Sequence, residues 1–165
     1  MSDQNMTPST EKGAERLRIL QCDLHPLSTL TDYKYVAICS RFGDKWLLSR
    51  HKKRETWETQ GGHIEAGEAP METARRELYE ESGVTNAELF PLCDYHGYDP
   101  YGYANGVVFL AVIHEMGHLP DSEMAEVAIF DELPPNLTYP NVSPVFFREA
   151  ERMLERLSAD KNFSL

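Results

Sequence analysis

The chain contains 165 residues, of which 41% are hydrophobic, and this length suits a single domain with one buried core. Its formal net charge of −11 at pH 7 argues against a general nucleic-acid binder or a protein of anionic membrane surfaces, because both partners attract basic proteins. The sequence has no apolar run of about 18 residues and no apolar signal-peptide core, so we expect a cytoplasmic protein without membrane spans.

The N-terminal part of the sequence predicts a tail followed by three strands. Residues 1–14 lack apolar periodicity and are rich in polar residues, so we expect a flexible tail before one domain at residues 15–165. Aliphatic and β-favouring residues at 17–24, 33–40 and 45–50 predict strands, since turn-forming residues separate them. The last two strands should form a hairpin.

The most basic stretch of this acidic chain follows the predicted hairpin, at residues 50–54. Its long cationic side chains, Arg50, Lys52 and Arg54, are candidates to bind phosphate oxygens, because guanidinium and ammonium groups pair well with phosphate. The alternative is a solvated hairpin loop without a ligand.

A helix is predicted at residues 70–82. Pro70 suits the first turn of a helix, where its missing N–H would have no partner. Met71, Ala74 and Leu78 then recur at helical spacing and form one apolar stripe. This stripe should face the core.

Three carboxylates, Glu77, Glu80 and Glu81, crowd into an arc of about 100° beside that stripe. Like charges at this spacing repel, so the cluster indicates a bound cation. Ligands that are all oxygen suit Mg²⁺ or Mn²⁺ better than Zn²⁺. The alternative is a solvated acidic face that is held by ordinary ion pairs of Arg76 with Glu72 or Glu80.

Two further strands are expected at residues 87–96 and 106–114, joined by a loop that holds four tyrosines within nine residues. Tyr98 and Tyr101 are candidates to stack on a base, because bases gain free energy on aromatic faces. The alternative is a turn-rich connection whose rings pack on the domain surface, since Gly and Pro interleave the tyrosines.

The C-terminal part predicts a short strand and an amphipathic helix. Residues 121–130 run from an acidic loop into an apolar strand with Glu126 near its start. Ser143 can cap and Pro144 can open a helix. Its apolar residues fall within an arc of about 120°, namely Phe146, Phe147, Ala150, Met153, Leu154 and Leu157. We expect this helix to cover one face of the sheet, and a homodimer interface is the alternative.

The segment GGHIEAGEAPMETARRELYEESGV, residues 61–84, resembles the signature box of the Nudix hydrolases at every defined position. From Gly62 the box reads as glycine, five residues, Glu68, seven residues and then RELYEESGV. One neighbouring residue departs from the family pattern, because Gln60 stands where family members usually have proline. This change frees the backbone and adds an amide that can contact a ligand, and we expect activity to survive it.

The resemblance implies an α/β (α+β) fold, a Nudix-type α/β/α sandwich around a mixed central sheet. It also implies hydrolysis of a nucleoside diphosphate linked to another moiety, with a required divalent cation, Mg²⁺ or Mn²⁺. The implied metal ligands are the carbonyl of Gly61 and the carboxylates of Glu77, Glu80, Glu81 and Glu126.

The same resemblance suggests catalytic roles for Glu77, Glu80 and Glu126. Glu126 is the expected added ligand or general base, Glu77 is the second choice for the base, and Glu123 is the nearest rival of Glu126. Arg76 should bridge the glutamates as a structural support, and Glu68 should interact with the N-terminal dipole of the helix.

Residues 45–54 and 131–137 further resemble bacterial nucleoside-triphosphate diphosphatases that remove oxidised purine nucleotides. The favoured substrate is therefore a purine nucleoside triphosphate such as 8-oxo-dGTP, which would give the monophosphate and pyrophosphate. ADP-ribose or another nucleoside diphosphate derivative comes second, and capped RNA ends come third.

Two other classes of protein share this fold. An isopentenyl diphosphate isomerase is disfavoured because the box is intact and no cysteine lies near it. A non-catalytic nucleotide sensor is disfavoured because the predicted elements leave no room for a DNA-binding domain. The expected partner is thus a small nucleotide.

Overall fold

The computed structural model describes residues 8–160, and within that range a mixed eight-stranded sheet lies between helices. The helices are α1 (Pro8–Ile19), α2 (Pro70–Ser82) and α3 (Ser143–Ala159). The strands are β1 (Gln21–His25), β2 (Tyr33–Phe42), β3 (Lys45–His51), β4 (Trp57–Glu58), β5 (Gln60–His63), β6 (Val84–Asp99), β7 (Gly102–Met116) and β8 (Met124–Phe130).

The strands follow the order β1-β6-β7-β2-β3-β4, with β5 also paired to β2 and β8 to β3. β2 and β7 pair in parallel, whereas β2 with β3 and β6 with β7 are antiparallel. The predicted mixed sheet is thereby confirmed. Residues 107–113 of β7 are buried on both faces, because a continuous apolar run supplies side chains to the two sides of the sheet.

A separate core lies on each face of the sheet. On one face α2 buries Ala74 and Leu78 in a cluster that includes Phe109. On the other face α3 buries Phe146 and Phe147 in a second cluster. The layered α/β/α arrangement is therefore confirmed, and the apolar face of α3 covers the sheet as predicted.

The start of α3 differs from the prediction in one detail. Ser143 lies inside the helix, no side chain caps its first turn, and Val142 precedes it. Pro144 occupies the first turn as expected.

The N-terminal region differs more. Residues 8–14 belong to α1 rather than to a tail, and residues 17–19 are helical rather than the start of a strand. Residues 1–7 lie outside the described part of the chain. The reason for the difference is tertiary, because Arg16 of α1 donates to Asp99, a partner 83 positions away that local periodicity cannot reveal.

The tyrosine-rich segment is the end of a long β-hairpin and not a loop. β6 continues to Asp99 and β7 begins at Gly102, so each strand extends beyond its predicted range at both ends. The carboxylate of Asp99 accepts the N–H groups of Tyr101 and Gly102, which closes the tight turn.

The remaining strand and helix predictions are confirmed. β2 and β3 form the predicted hairpin, and α2 covers residues 70–82. β8 begins at Met124, directly after the acidic loop. No helix within residues 8–160 combines the length and apolarity that a membrane span requires.

Candidate active site

Two consecutive glycines bring β5 into direct contact with both its neighbouring strand and α2. A Cβ atom at position 61 would lie 2.3 Å from the carbonyl oxygen of Val36. A Cβ atom at position 62 would lie 2.4 Å from Oε1 of Glu77. At position 61 the close atom is fixed backbone, so only glycine fits there, whereas at position 62 a side chain would displace the carboxylate of Glu77. Gly61 and Gly62 thus let the backbone of β5 lie against the glutamates of α2.

Glu81 is the most deeply buried carboxylate of α2, with 8% of its surface exposed. Its Oε1 accepts the backbone N–H of Gly61 at 2.7 Å. Burial raises the pKa of Glu81 to about 8, against the lowering effect of that hydrogen bond, and the charges of Glu77, Glu58 and Glu123 raise it further. This carboxylate therefore lies in a site that lacks compensating positive charge.

Glu77 and Glu80 lie on the same helix face but in different surroundings. Burial raises the pKa of Glu77, and hydrogen bonding to Arg76 opposes that rise. The side chain of Glu80 is 48% exposed and accepts a hydrogen bond from Arg76 at 3.4 Å. The fold thus brings Glu77 close to Glu81 and leaves Glu80 turned towards solvent and Arg76.

Arg76 connects the carboxylates to the segment before the helix. Its guanidinium donates to Glu68 at 2.8 Å, to Glu77 at 2.9 Å and to the carbonyl of His63 at 3.2 Å. The hydrogen bond from Arg76 holds the pKa of Glu68 at about 2. Glu68 also accepts from Thr73, so these two residues have the contacts of a supporting pair.

Glu123 is a carboxylate outside α2 that lines the cleft and acts on the charges of the site. The charge of Glu123 contributes to the raised pKa of both Glu77 and Glu81, although burial is the larger cause in each. Glu126 lies opposite Arg50 in the β3–β8 pair and accepts its Nε at 2.8 Å. The role expected for Glu126 stays a prediction, and Glu77, Glu81 and Glu123 are called the acidic cluster below.

The donor atoms of this region fit a hard divalent cation. They are carboxylate oxygens beside the backbone of Gly61, and the buried charge of Glu81 is one that a cation would stabilise. Among the residues that the structure describes, no three acidic, His or Cys side chains are gathered into a finished metal centre. The oxygen donors thus suit Mg²⁺ or Mn²⁺. To bind such an ion, the carboxylates of Glu77, Glu80 and Glu81 would have to move closer together.

A cleft of about 720 Å³ borders the acidic cluster through Gly61, Gly62 and Glu123. Glu77, Glu80 and Glu81 do not line it. We call this border, together with His51 and Arg54, the near end of the cleft. At the far end the cleft is lined by residues of α1 and of the β6–β7 hairpin, namely Gly13, Arg16, Leu17, Gly97, Asp99, Gly102, Tyr103 and Ala104.

The strand register gives the length of this cleft. Gly61 lies opposite Ala37, and Ala37 pairs with Val108. Val108 is six residues along β7 from Gly102 at the hairpin turn, and a strand rises about 3.4 Å per residue. The two ends are therefore about 20 Å apart along the sheet.

Of the three cations predicted to bind phosphate, Arg54 alone lines the cleft. Its guanidinium also donates to Glu58 at 3.0 Å. Arg50 donates to Glu126 and to the carbonyl of Arg54, and Lys52 pairs with Asp121 at 3.3 Å, so the structure commits both elsewhere. Phosphate binding by Arg50 and Lys52 stays a prediction.

The predicted tyrosines do not line the cleft either. Tyr98 stacks on His96, and the ring of Tyr101 lies 5.1 Å from the guanidinium carbon of Arg16. The residues that do line it include Tyr35, Tyr95, Tyr103 and Tyr139. For Tyr98 and Tyr95 the reason is the pleat of β6, because residues 95, 97 and 99 lie on one face while residues 96 and 98 lie on the other.

Gln60 does not present its amide to the cleft. The residue is fully buried, and its side chain binds Ser40, Ser49 and the carbonyl of Leu47 in the interior. The suggestion that this amide contacts a ligand is therefore wrong.

Sequence reasoning missed two residues that line the cleft, His51 and Arg16. The Nδ1 atom of His51 accepts the N–H of Lys53, so its Nε2–H is directed outward, 3.7 Å from Oε2 of Glu123. His51 lies within the basic run and could have been selected there. Nothing local distinguishes Arg16, because its role depends on the distant Asp99.

Comparison with known proteins gives consistent matches. The NUDIX domain family profile matches residues 33–147. YtkD of Bacillus subtilis (strain 168), to which 8-oxo-dGTP diphosphatase activity is ascribed, is 34% identical over 106 residues, 64% of this chain and 66% of that protein. An RNA pyrophosphohydrolase of Bartonella bacilliformis is 32% identical over 79 residues, 38% of this chain and 46% of that protein.

A solved structure matches over a larger share of both chains. The crystal structure of a mutant of the Bacillus subtilis pyrophosphohydrolase BsRppH superimposes with a TM-score of 0.69, at 25% identity, over 81% of this chain and 90% of that chain. The two curated relatives are covered over about two thirds and about half of their own lengths.

Proposed function

Because this chain belongs to the Nudix hydrolase family, we propose that it hydrolyses the diphosphate bond of a nucleoside diphosphate linked to another group. The observation that carries the proposal is the acidic cluster at one end of a cleft long enough for a nucleotide. A volume of about 720 Å³ lies within the range of sites that bind small molecules.

The proposed cofactor is Mg²⁺ or Mn²⁺, with Gly61, Glu77, Glu80 and Glu81 as the residues that would hold it. When bound, the ion supplies positive charge that stabilises the non-bridging phosphate oxygens as the bond breaks. Arg76 keeps Glu77 in place through its hydrogen bonds, and Glu80 would exchange its Arg76 contact for the ion.

Glu123 replaces Glu126 as our choice for the proton acceptor. Its position at the near end of the cleft and its electrostatic influence on Glu77 and Glu81 support this role. In the reaction, the oxygen of water bonds to phosphorus, the P–O–P link breaks, and the proton of that water passes to the carboxylate of Glu123. Glu77 is the second choice.

Arg54 and His51 are proposed to bind phosphate oxygens at the near end. Both line the cleft, and both carry N–H groups that donate to anions. These two side chains would hold the phosphates of the substrate beside the acidic cluster. Without them, the carboxylates of the cluster would repel the phosphates.

The favoured substrate is a purine nucleoside triphosphate such as 8-oxo-dGTP, with the monophosphate and pyrophosphate as products. The aromatic and apolar side chains along the rest of the cleft, which include Leu17, Tyr95, Tyr139 and Phe146, suit a planar base. The similarity to YtkD supports the same substrate class.

The triphosphorylated 5′ end of RNA is a second candidate substrate. The similarity to the Bartonella RNA pyrophosphohydrolase and to BsRppH favours it. The net charge of −11 opposes it, since a polynucleotide brings many phosphates against an acidic surface.

A product assay distinguishes these substrates. Purified protein with Mg²⁺ would be given 8-oxo-dGTP, dGTP, ADP-ribose and a 5′-triphosphate RNA at equal concentrations, with Glu81→Gln as the matched inactive control. The proposal expects the highest kcat/KM on a purine triphosphate, with pyrophosphate released. A higher kcat/KM on RNA would support the second candidate, and equal, Glu81-independent rates on all four would contradict both.

A further inference from the structure

A chain of buried hydrogen bonds connects the interior of the sheet to the acidic cluster. The hydroxyl of Ser40 donates to Oε1 of Gln60 at 2.6 Å, and Nε2 of Gln60 donates to Oγ of Ser49 at 2.8 Å. The hydroxyl of Ser49 then donates to the backbone carbonyl of Glu81 at 2.8 Å. The side chains of these three donors are fully buried.

The carbonyl of Glu81 at one end of this row of hydrogen bonds determines which group donates and which accepts in each bond. A backbone carbonyl can only accept, so Ser49 must donate to Glu81 and must itself accept from Gln60. The second N–H of the amide is used by the carbonyl of Leu47 at 3.4 Å, which leaves its oxygen for Ser40. Hydrogen bonds that are aligned in this way polarise and strengthen one another in a buried environment.

The acceptor in α2 is one that the helix cannot satisfy by itself. Glu81 is the second-last residue of α2, and the last four carbonyls of a helix lack intrahelical partners. Ser49 therefore anchors the end of α2 to β3 at the residue that carries the most buried carboxylate.

Glu81 is thus held at two points by two consecutive residues. Gln60 acts on its carbonyl through Ser49, and the N–H of Gly61 binds its carboxylate at 2.7 Å. A displacement of β5 or a loss of the amide would change both contacts. A metal ion binds a carboxylate best when that carboxylate is already oriented, and these two contacts fix the orientation of the Glu81 carboxylate.

We propose that Gln60 and Ser49 are positioning residues that set the carboxylate of Glu81 for the divalent cation. The amide of Gln60 donates a hydrogen bond to Ser49. The proline that is usual at this position in the family has no side-chain donor and could not make this bond. This inference rests on the proposed function, because it takes Glu81 to be a metal ligand.

The two serines offer a matched pair of variants. Ser49→Ala removes the donor to Glu81, whereas Ser40→Ala makes the same chemical change at an equally buried site at the other end of the chain. The readout is the dissociation constant for Mn²⁺ measured by isothermal titration, with circular dichroism to establish folding. Activity is not needed for this measurement.

We expect Ser49→Ala to weaken Mn²⁺ binding by at least about tenfold, as is usual when a residue that supports a ligand is removed. Ser40→Ala should weaken it by less than about threefold, because the bond between Ser49 and Glu81 remains. Gln60→Met, which keeps the size of the side chain without its polar atoms, should fall between the two. If Ser49→Ala does not fold, Ser49→Cys retains the volume with a much weaker donor and should weaken Mn²⁺ binding in the same way.

Equal Mn²⁺ affinities in the two serine variants would overturn the proposal and leave only a structural role for this chain of hydrogen bonds. If the wild-type protein binds Mn²⁺ and Glu81→Gln abolishes that binding, such a result would count against the positioning role alone. If the wild-type protein binds no Mn²⁺, both this inference and the proposed cofactor are wrong.

Discussion

The two ends of the cleft are built in different ways. Beside the near end, Gly61 and Gly62 meet Glu77 and Glu81 across about twenty positions, although Glu123 comes from a more distant part of the sequence. The far end depends on remote pairs, such as Arg16 with Asp99. A short motif can therefore specify the candidate metal ligands, while Glu123 and the far end of the cleft are placed by tertiary folding.

Their electrostatics differ as well. At the near end burial raises the pKa of both Glu81 and Glu77, so negative charges are crowded without an equal number of cations. At the far end Arg16 and Asp99 form a matched ion pair at 2.8 Å, and Asp99 receives two further N–H donors. The carboxylates beside the near end thus lack matched cations, as the proposed divalent-cation site requires, whereas the charges at the far end are paired.

The largest expected effect is at the near end, at Glu81. Glu81→Gln keeps the shape of the side chain but removes the charge, and kcat should fall by at least about 10²-fold, as when other charge-stabilising groups are deleted. Glu72→Gln, an exposed change on the same helix, is the control. A steady-state assay with Mg²⁺ that gives equal kcat values for both variants would refute the role of Glu81.

The next effect separates Glu123 from Glu126. Glu123→Gln should lower kcat by about 10²-fold with little change in KM, because it removes the proton acceptor. Glu126→Gln breaks only an exposed ion pair with Arg50 and should change kcat by less than about threefold. The comparison is made with both variants in one kinetic assay, and the reverse order of effects would restore Glu126.

A smaller effect is expected at the far end. Arg16→Ala removes the ion pair that holds α1 against the hairpin, so KM should rise by about tenfold, or roughly 1.4 kcal/mol of binding, while kcat stays unchanged. Arg18→Ala, an exposed arginine two residues further along α1, is the control. A fall in kcat without a change in KM would show that the two ends are not separable.

The smallest effect is expected for the hairpin tyrosine that faces away from the cleft. Tyr98→Ala should change KM by less than about twofold, because exposed substitutions away from a site usually have minor consequences. A rise in KM as large as that of Arg16→Ala would return Tyr98 to the binding site.

The sequence predicted those parts of the site that depend on local spacing. Glu77, Glu80 and Glu81 follow from helical periodicity, and the glycines from the motif. The sequence could not place Glu123 at the cleft, because that position depends on the pairing of β8 with the distant strand β3, which includes a register shift between Arg50 and His51.

Two errors of prediction also have their origin in contacts between residues distant in sequence. Gln60 looked available to a ligand until β2 and β3 supplied the buried partners Ser40 and Ser49. The helix α1 has weak local signals and is held by Asp99 and by Asn141, which donates to the carbonyl of Arg18. Contacts between residues distant in sequence determine each of these features, and no local pattern contains them.

The most direct test of the account is the unfolding temperature of the wild-type protein and of Glu81→Gln as Mg²⁺ is titrated. Without Mg²⁺ and above about pH 8, where the buried carboxylate of Glu81 is ionised, Glu81→Gln should melt at the higher temperature because it lacks that charge. As Mg²⁺ reaches about 100 times its dissociation constant, the wild-type protein should gain roughly 2.7 kcal/mol of stability while the variant gains little. A wild-type melting temperature that does not change with Mg²⁺, or an equal rise in both proteins, would contradict the claim that Glu81 belongs to a divalent-cation site.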